Sequence, residues 1–258
     1  MTPTPPGYGR VVSLTELSSA AEVLVATGHD PFARGSLRRP EVRGWLSGRA
    51  VAWIGRDLGD ASSYLNALGP PDQVGALLTD LLPELPPNQR LTVPRETPAH
   101  LPAWVSLDGT DWDLRWLDAA PPLQDGEEQV EELTDTDQVS ALLAQISPTA
   151  SALPGDPAVR RWVGIHERGS LVACAADTTA SSAVGHLSSI AVHPDARGGG
   201  LGTVITAALT RRLLAEGCEL VTLGMYAHNA PARAMYDRLG FADEHRFTSG
   251  QLLVRSRW

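Results

Sequence analysis

Apolar residues in the second half of the chain recur first with the period of a strand and then with that of a helix. Residues 162–167 and 171–176 alternate in hydropathy, and an Arg-Gly pair joins them, so we expect a β-hairpin. Residues 184–192 form a third strand-like run. Over 201–213, apolar positions return every three or four residues, which predicts an α-helix.

The pattern continues with another strand and another helix. Gly217 is placed to end the first helix, and residues 220–223 have the composition of a buried strand. Asn229 is a favourable N-cap and Gly240 supplies a left-handed stop, which predicts a helix of about ten residues between them. Upstream, Thr134, Asp135 or Asp137 can cap a short helix that ends near Ile146.

The first half of the chain shows a fainter version of the same order. Strand-like runs at 49–56, 62–67 and 91–94 surround a helical pattern at 72–82. Between the second strand and that helix, Leu-Gly-Pro-Pro-Asp-Gln occupies residues 68–73. We expect either a degenerate copy of the second half or an unrelated α/β extension.

The two halves meet in an acid-rich region. Residues 104–107 and 112–117 alternate in hydropathy around Asp-Gly-Thr-Asp, which predicts a hairpin that closes the first half. We therefore expect an accessory domain over 1–117, a linker over 118–126 and a second α/β domain over 127–258.

Composition narrows the classes of function. All 21 basic side chains are arginine, so chemistry that needs a lysine is excluded, and a net charge of −9 disfavours nucleic acid and anionic membranes as partners. Because 258 residues contain no run of eighteen apolar positions and no signal-like start, we expect neither export nor a membrane span. Cys174 and Cys218 lie in apolar surroundings, which favours free thiols and a cytoplasmic location.

A glycine-rich turn between the third strand and the 201–213 helix is the strongest chemical signal. Arg197-Gly198-Gly199-Gly200-Leu201-Gly202 leaves backbone N–H groups at a helix start, where the helix dipole favours an anion. The spacing does not fit the dinucleotide fingerprint, because Thr203 and Ile205 stand where glycine is needed. It does not fit a P-loop, which needs a lysine.

This R-x-x-G-x-G motif, together with the helix that starts at Asn229 and carries Tyr236, resembles the GNAT superfamily of acyl-CoA N-acyltransferases. The resemblance covers about residues 127–250. It implies an α/β (α+β) fold with a mixed, mostly antiparallel central sheet flanked by helices. With the pattern of the first half, it also suggests a tandem arrangement with a degenerate N-terminal copy.

The resemblance implies acetyl-CoA as co-substrate. Backbone groups of the loop would bind its diphosphate, and the strand before the loop, splayed by a bulge, would bind the pantetheine arm. The cofactor contacts that follow are Ile190, Ala191, Val192, Arg197, Gly198, Gly199, Gly200, Leu201, Gly202, Thr203, Asn229 and Tyr236.

Catalytic roles follow less directly. Tyr236 is the position of the general acid in the resemblance, although a tyrosine there can equally be a packing residue, and Asn229 can equally be only an N-cap. His186 stands where relatives often carry a base, with Glu167 and His228 as weaker alternatives. Residues with the spacing of a metal site are not evident, so we expect no metal.

We therefore expect an N-acetyltransferase that moves an acetyl group directly to a small-molecule or peptide amine in a ternary complex. The alternative is a non-catalytic acyl-CoA-binding or protein-interaction module. The sequence leaves open whether the chain forms a homodimer.

Overall fold

The computed structural model describes residues 14–37, 40–55, 63–86, 88–181 and 183–254. Some predicted positions lie outside these ranges. They are the ends of the predicted domains, 1–13 and 255–258, and the predicted strand positions 56 and 62. Within them there are twelve strands, β1 to β12: Thr15–Ser19, Glu41–Ser47, Ala50–Gly55, Tyr64–Leu68, Arg90–Pro94, Val105–Leu117, Glu131–Leu133, Arg161–Glu167, Ser170–Asp177, Val184–Val192, Leu220–Tyr226 and Asp243–Val254. The same ranges contain six α-helices, α1 to α6: Ala20–Ala26, Pro31–Ser36, Pro71–Leu81, Thr136–Ile146, Leu201–Ala215 and Ala230–Leu239.

The chain folds into two compact units. In its described parts, the first unit consists of residues 14–29, 40–55, 63–86, 88–110 and 247–254, and the second of residues 30–37, 111–181 and 183–246. The predicted division into a domain at 1–117, a linker at 118–126 and a domain at 127–258 stays a prediction.

The first unit is a sheet with one parallel pair. Its strands follow the order β1-β2-β3-β4-β5, and only β4 and β5 run parallel. The end of β12 pairs antiparallel with β5, from Phe247 to Gln251. Helix α3 covers the sheet with Val74, Leu77 and Leu78, which are 0–1% exposed.

The second unit repeats this pairing scheme. Its strands follow the order β7-β8-β9-β10-β11-β6, again with one parallel pair, β10 with β11. Helix α5 packs with Val163 on one face, and α4 packs with Trp162 on the other, as expected for neighbouring residues of a strand. The predicted mixed, mostly antiparallel sheet flanked by helices is confirmed.

Most predicted elements of the second half are present, and their ends follow the predicted caps. Asp135 caps α4, Asn229 caps α6, and Gly240 ends α6 in the left-handed region. Arg168 and Gly169 both have positive φ, 51° and 84°, as the tight hairpin between β8 and β9 requires.

The predicted hairpin over 104–117 is wrong, because β6 runs without a turn from Val105 to Leu117. A Cβ on Gly109 would lie 2.4 Å from the carbonyl oxygen of Ser249, and one on Gly250 would lie 2.0 Å from that of Asp108. Gly109 therefore allows β6 and β12 to approach closely, and it does not serve a turn. No helix in the described ranges is long and apolar enough to cross a membrane.

Candidate active site

The glycine-rich loop forms a cradle of backbone donors at the start of α5. Gly198 and Gly200 have φ of 86° and 80°, a conformation that other residues adopt only with strain. The N–H of Thr203 donates to the carbonyl of Gly200 at 2.8 Å. Among the described residues, the N–H groups from Gly198 to Gly202 have no hydrogen-bond acceptor. The loop thus offers five donors at the positive end of a fifteen-residue helix.

Arg197 and Gly202, the first and last residues of this loop, fix its position. The guanidinium of Arg197 is exposed, and its Nε donates to the carbonyl of Val192 at 3.2 Å, which ties the loop to the end of β10. A Cβ on Gly202 would lie 3.2 Å from Sδ of Met235. A glycine at this position therefore lets α5 begin close to α6. The cradle is open, positive and unshielded, which fits a diphosphate.

Strand β10 separates from β11 just before the loop. It pairs with β11 only from Val184 to Leu187, and its register with β9 shifts between Ser188 and Ala191. Ser189 sits in this bulge with φ of 50°, a conformation that is uncommon for serine. The bulge opens the sheet toward a cavity that Ser188, Ser189 and Ile190 help to line.

A cavity of about 420 Å³ lies where β10 and β11 separate. Four of the predicted site residues line it: His186, Ile190, Asn229 and Tyr236. Ala191 and Val192 are not among the described lining residues, and they pair with Cys174 and Ala173 of β9. The structure therefore brings together the two predicted catalytic side chains and one of the three predicted strand positions.

Tyr236 combines a buried ring with an unused hydroxyl. The side chain is 5% exposed and packs edge-on against Phe241, with ring centroids 5.9 Å apart. No described residue hydrogen-bonds the hydroxyl. Burial raises the pKa of Tyr236 to about 12, so the phenol keeps its proton throughout the neutral range. Asn229 meanwhile accepts from the N–H of Ala232 at 3.2 Å, so it serves as the N-cap while lining the cavity.

His186 is held in one tautomer by a chain of hydrogen bonds. The hydroxyl of Thr222 donates its hydrogen to the carbonyl of Gly185 at 2.9 Å. Nδ1 of His186 lies 2.7 Å from the same hydroxyl oxygen, which can then only accept. Nδ1 therefore carries the hydrogen, and in the neutral ring Nε2 is the basic nitrogen.

A serine clamps a loop that lines the cavity. Ser147, Thr149 and Ser151 follow α4 and form one wall. The next residue, Ala152, donates its N–H to Oγ of Ser189 at 2.9 Å and accepts from that hydroxyl at 2.8 Å. The bulge in β10 thus positions this wall through one side chain. The sequence carries no local signal for the pairing, because the two residues lie far apart along the chain.

Other predicted alternatives do not reach the cavity. Glu167 ends β8 at the hairpin, and His228 stacks on Tyr226 with centroids 5.6 Å apart; neither is among the described lining residues. Trp112 of β6 lines the cavity although the sequence assigned it to the other domain. Within the described ranges, no three His, Cys, Asp or Glu side chains are grouped so as to hold a metal ion.

The family comparison agrees with this geometry. The model described as Acetyltransferase (GNAT) family matches residues 115–241, which include β10, the glycine-rich loop and α6. These residues belong to the GNAT acetyltransferase family.

Curated relatives match this chain over short segments. A mycothiol acetyltransferase of Saccharomonospora viridis is 48% identical over 58 residues, which cover 22% of this chain and 19% of the relative. An acetyltransferase of Pectobacterium atrosepticum is 32% identical over 68 residues, which cover 26% of this chain and 48% of the relative. The chain thus spans from about a fifth to about half of the length of these relatives.

Solved structures of GNAT proteins share the fold over nearly the whole chain. A GCN5-related N-acetyltransferase from Kribbella flavida has a TM-score of 0.56 and 18% identity, covering 89% of this chain and 94% of the other. One from Sphaerobacter thermophilus has a TM-score of 0.52 and 15% identity, covering 93% and 95%. At these identities the likeness concerns the fold alone.

Proposed function

We propose that the GNAT region transfers an acetyl group from acetyl-CoA directly to an amine, in a ternary complex and without a covalent enzyme intermediate. The observation that carries the proposal is the cradle of five backbone donors, from Gly198 to Gly202, which follows the same strand, β10, that lines the cavity with Tyr236 and His186. The family's acetyltransferase description and the names of the relatives support acetyl as the group transferred.

The first task of these residues is to hold the co-substrate. Backbone N–H groups of Gly198 to Gly202 would bind the diphosphate, and the exposed guanidinium of Arg197 would add charge. The thioester arm would lie along β10 at Ile190, beside Asn229 of α6. Acetyl-CoA supplies the activated acyl group, and the protein supplies its orientation.

The second task is to move two protons. The attacking amine must be neutral, and the proton it releases as the N–C bond forms would pass to Nε2 of His186, through water if the distance requires it. As the C–S bond breaks, the phenol of Tyr236 would give its proton to the departing thiolate. A buried thiolate is more basic than one in water, so burial raises the pKa of the departing thiol. The pKa of that thiol therefore lies closer to the pKa of the Tyr236 phenol, which is about 12.

We further propose that the first unit is a degenerate copy that binds no CoA. It repeats the pairing scheme of the second unit, and α3 occupies the place of α5. At the start of α3, however, Pro70 and Pro71 have no N–H to donate, and Asp72 would repel a diphosphate. The first unit is therefore assigned a structural role.

The proposed acceptor is a small-molecule or peptide amine, and the proposed location is the cytoplasm. The net charge of −9 favours a cationic partner over a polyanion. Cys174 and Cys218 are buried free thiols, as suits a reducing compartment. The chain could act alone or as a homodimer.

Binding of acetyl-CoA to matched glycine variants tests the proposal. Gly200→Val introduces a β-branched residue at φ 80° in the cradle. Gly155→Val introduces the same residue at φ 89° in a loop where a Cβ likewise meets nothing within 4 Å. Calorimetry should show the Kd for acetyl-CoA raised about tenfold or more by the first variant, and the wild-type value for the second.

Turnover is tested next, with a panel of amines and detection of the released thiol. Thiol release that depends on an added amine supports the enzyme. Selective binding of acetyl-CoA with no release for any amine would favour the alternative, a non-catalytic acyl-CoA-binding or interaction module. Equal loss of binding in both glycine variants would contradict the assignment of the cradle.

A further inference from the structure

A second, smaller cavity of about 180 Å³ lies within the same unit. It shares Trp112 and His186 with the larger cavity. One wall is α2, which contributes Phe32 and Gly35 and belongs to the second unit although it comes from the start of the chain. The ring of Phe32 lies edge-on to that of Trp112, with centroids 6.4 Å apart. Both cavities therefore open onto the same histidine.

The chemistry of the second cavity is apolar and uncharged. His186 is its one ionisable side chain among the described lining residues. The hydroxyls are already engaged, because Thr222 donates to Gly185, Thr178 pairs with Ser188 at 2.8 Å, and Ser36 bonds the carbonyl of Ala33. The remaining lining comes from side chains such as Phe32, Leu114 and Val184. Such a lining favours a ligand group without charge.

We propose that this cavity binds an uncharged apolar group, about the size of one six-membered ring, on the amine acceptor. A dry cavity of ~150 Å³ is large enough for benzene, so about 180 Å³ accommodates such a ring. With the ring seated there, a flexible linker places the amine beside His186 in the larger cavity. The inference rests on the proposed transfer to an amine and adds which acceptors that site selects.

Filling the cavity tests the inference directly. A Cβ on Gly35 would lie 3.7 Å from Cγ1 of Val184, so a side chain fits at this position without a clash at its base. Gly35→Leu extends that side chain into the cavity. Arg34→Leu adds the same group one residue away, outside the lining, and removes an ion pair with the exposed Glu219. It is the matched control.

The first readout is binding of a ring probe, which does not require turnover. Benzyl alcohol, followed by calorimetry or ligand-observed NMR, should bind the wild type and Arg34→Leu with the same Kd, and Gly35→Leu with a Kd at least about tenfold higher. Glucose, a polyhydroxylated ring of similar size, should not compete. Absence of saturable binding, equal binding by both leucine variants, or preference for glucose would overturn the inference.

The second readout separates this inference from the proposed function. The ratio of kcat/KM for phenethylamine over that for ethylamine should exceed about tenfold in the wild type and fall toward one in Gly35→Leu. A ratio near one in the wild type would overturn the ring site while leaving acetyl transfer intact. Ring binding without thiol release from any amine would instead contradict the acetyl transfer.

Discussion

At the scale of single residues, Tyr236 carries the clearest prediction. Tyr236→Phe keeps the buried ring and its contact with Phe241 but removes the hydroxyl of a residue that lines the cavity. Loss of a general acid typically costs 10²–10⁴-fold, so kcat should fall at least ~100-fold while the KM for acetyl-CoA changes little. Steady-state assay of thiol release measures both constants.

Thermal melting provides the control for Tyr236→Phe. Because no described residue hydrogen-bonds the hydroxyl, its removal should not lower the melting temperature. A kcat within about threefold of the wild type, in a folded variant, would show that Tyr236 is only a packing residue. That role is the alternative that its position in the sequence leaves open.

Cys174 gives a prediction about stability at alkaline pH. Burial raises the pKa of this thiol from 9.0 to about 12, so above pH 9 the unfolded chain loses a proton that the folded chain keeps. The free energy of unfolding therefore falls as pH rises from 9 to 12, and this thiol accounts for roughly 2 kcal/mol between about pH 8 and about pH 10.5.

Urea unfolding of the wild type and of Cys174→Ala at these two pH values measures that contribution. The variant should be less stable at about pH 8, because a buried side chain is truncated, but its loss of stability between the two pH values should be smaller by the stated amount. Cys218, which is less buried, serves as the comparison, and Cys218→Ala should change the loss less. Identical losses in wild type and Cys174→Ala would contradict the assignment.

The sequence alone predicts only some features of the individual site residues. Gly200, Asn229 and Tyr236 belong to one contiguous stretch whose caps and spacing are local, so their places could be predicted. The tautomer of His186 depends on Thr222, which becomes a neighbour only because β10 and β11 pair in parallel. Contacts of this kind are set by register, and one sequence alone does not reveal register.

At the scale of elements, two variants of Ser189 separate the effect of its hydrogen bonds to the loop after α4 from the effect of backbone strain in β10. Ser189→Ala and Ser189→Gly both remove the two hydrogen bonds to Ala152. Glycine also relieves the strain at φ 50°, whereas alanine keeps it. Two hydrogen bonds at ~1 kcal/mol each hold the wall formed by residues 147–151, so both variants should raise the KM of the acceptor by up to about 30-fold.

The two variants of Ser189 should differ in stability but not in that KM. The glycine variant should be about 1 kcal/mol more stable than the alanine variant, measured by urea unfolding. The Kd for acetyl-CoA should stay within about twofold of the wild type in both, because the cradle lies beyond the bulge. An acceptor KM unchanged in both variants would show that the clamp does not position the wall.

Elements with local signals were predicted correctly, and β6 shows why others were not. The hairpin between β8 and β9, and the ends of α4 and α6, depend on turn and cap residues that the sequence displays. In β6, Asp108 and Gly109 have turn-like composition, yet the glycine is there because a carbonyl of β12 approaches its Cα. Propensity favours a turn at this position, and packing against a distant strand overrides it.

At the scale of the whole molecule, each unit is built from segments that are not contiguous in the sequence. Residues 247–251 pair with β5 in the first unit, and residues 112–117 pair with β11 in the second. Helix α2 likewise belongs to the second unit. A sequence division at an acid-rich segment assumes that each unit is continuous, and no composition change marks these exchanged segments.

Two fragments test whether this division matters for folding. A fragment of residues 127–258 follows the predicted domain but lacks the partner of β11, so a long row of N–H and C=O groups beside Val221 and Leu223 would be exposed. A fragment of residues 111–246 retains that strand. We expect the first to aggregate and the second to melt cooperatively, with lower stability than the full chain because it lacks α2.

Circular dichroism, light scattering and calorimetric binding of acetyl-CoA distinguish the outcomes. Binding by 111–246 together with aggregation of 127–258 would show that the strand at 112–117 is part of the folding unit that holds the cradle. A soluble 127–258 fragment with a cooperative melt and the Kd of the full chain would instead support the predicted boundary. In that case the pairing of β6 with β11 would add little to the stability of the site, because the remaining strands and α5 would suffice to hold it.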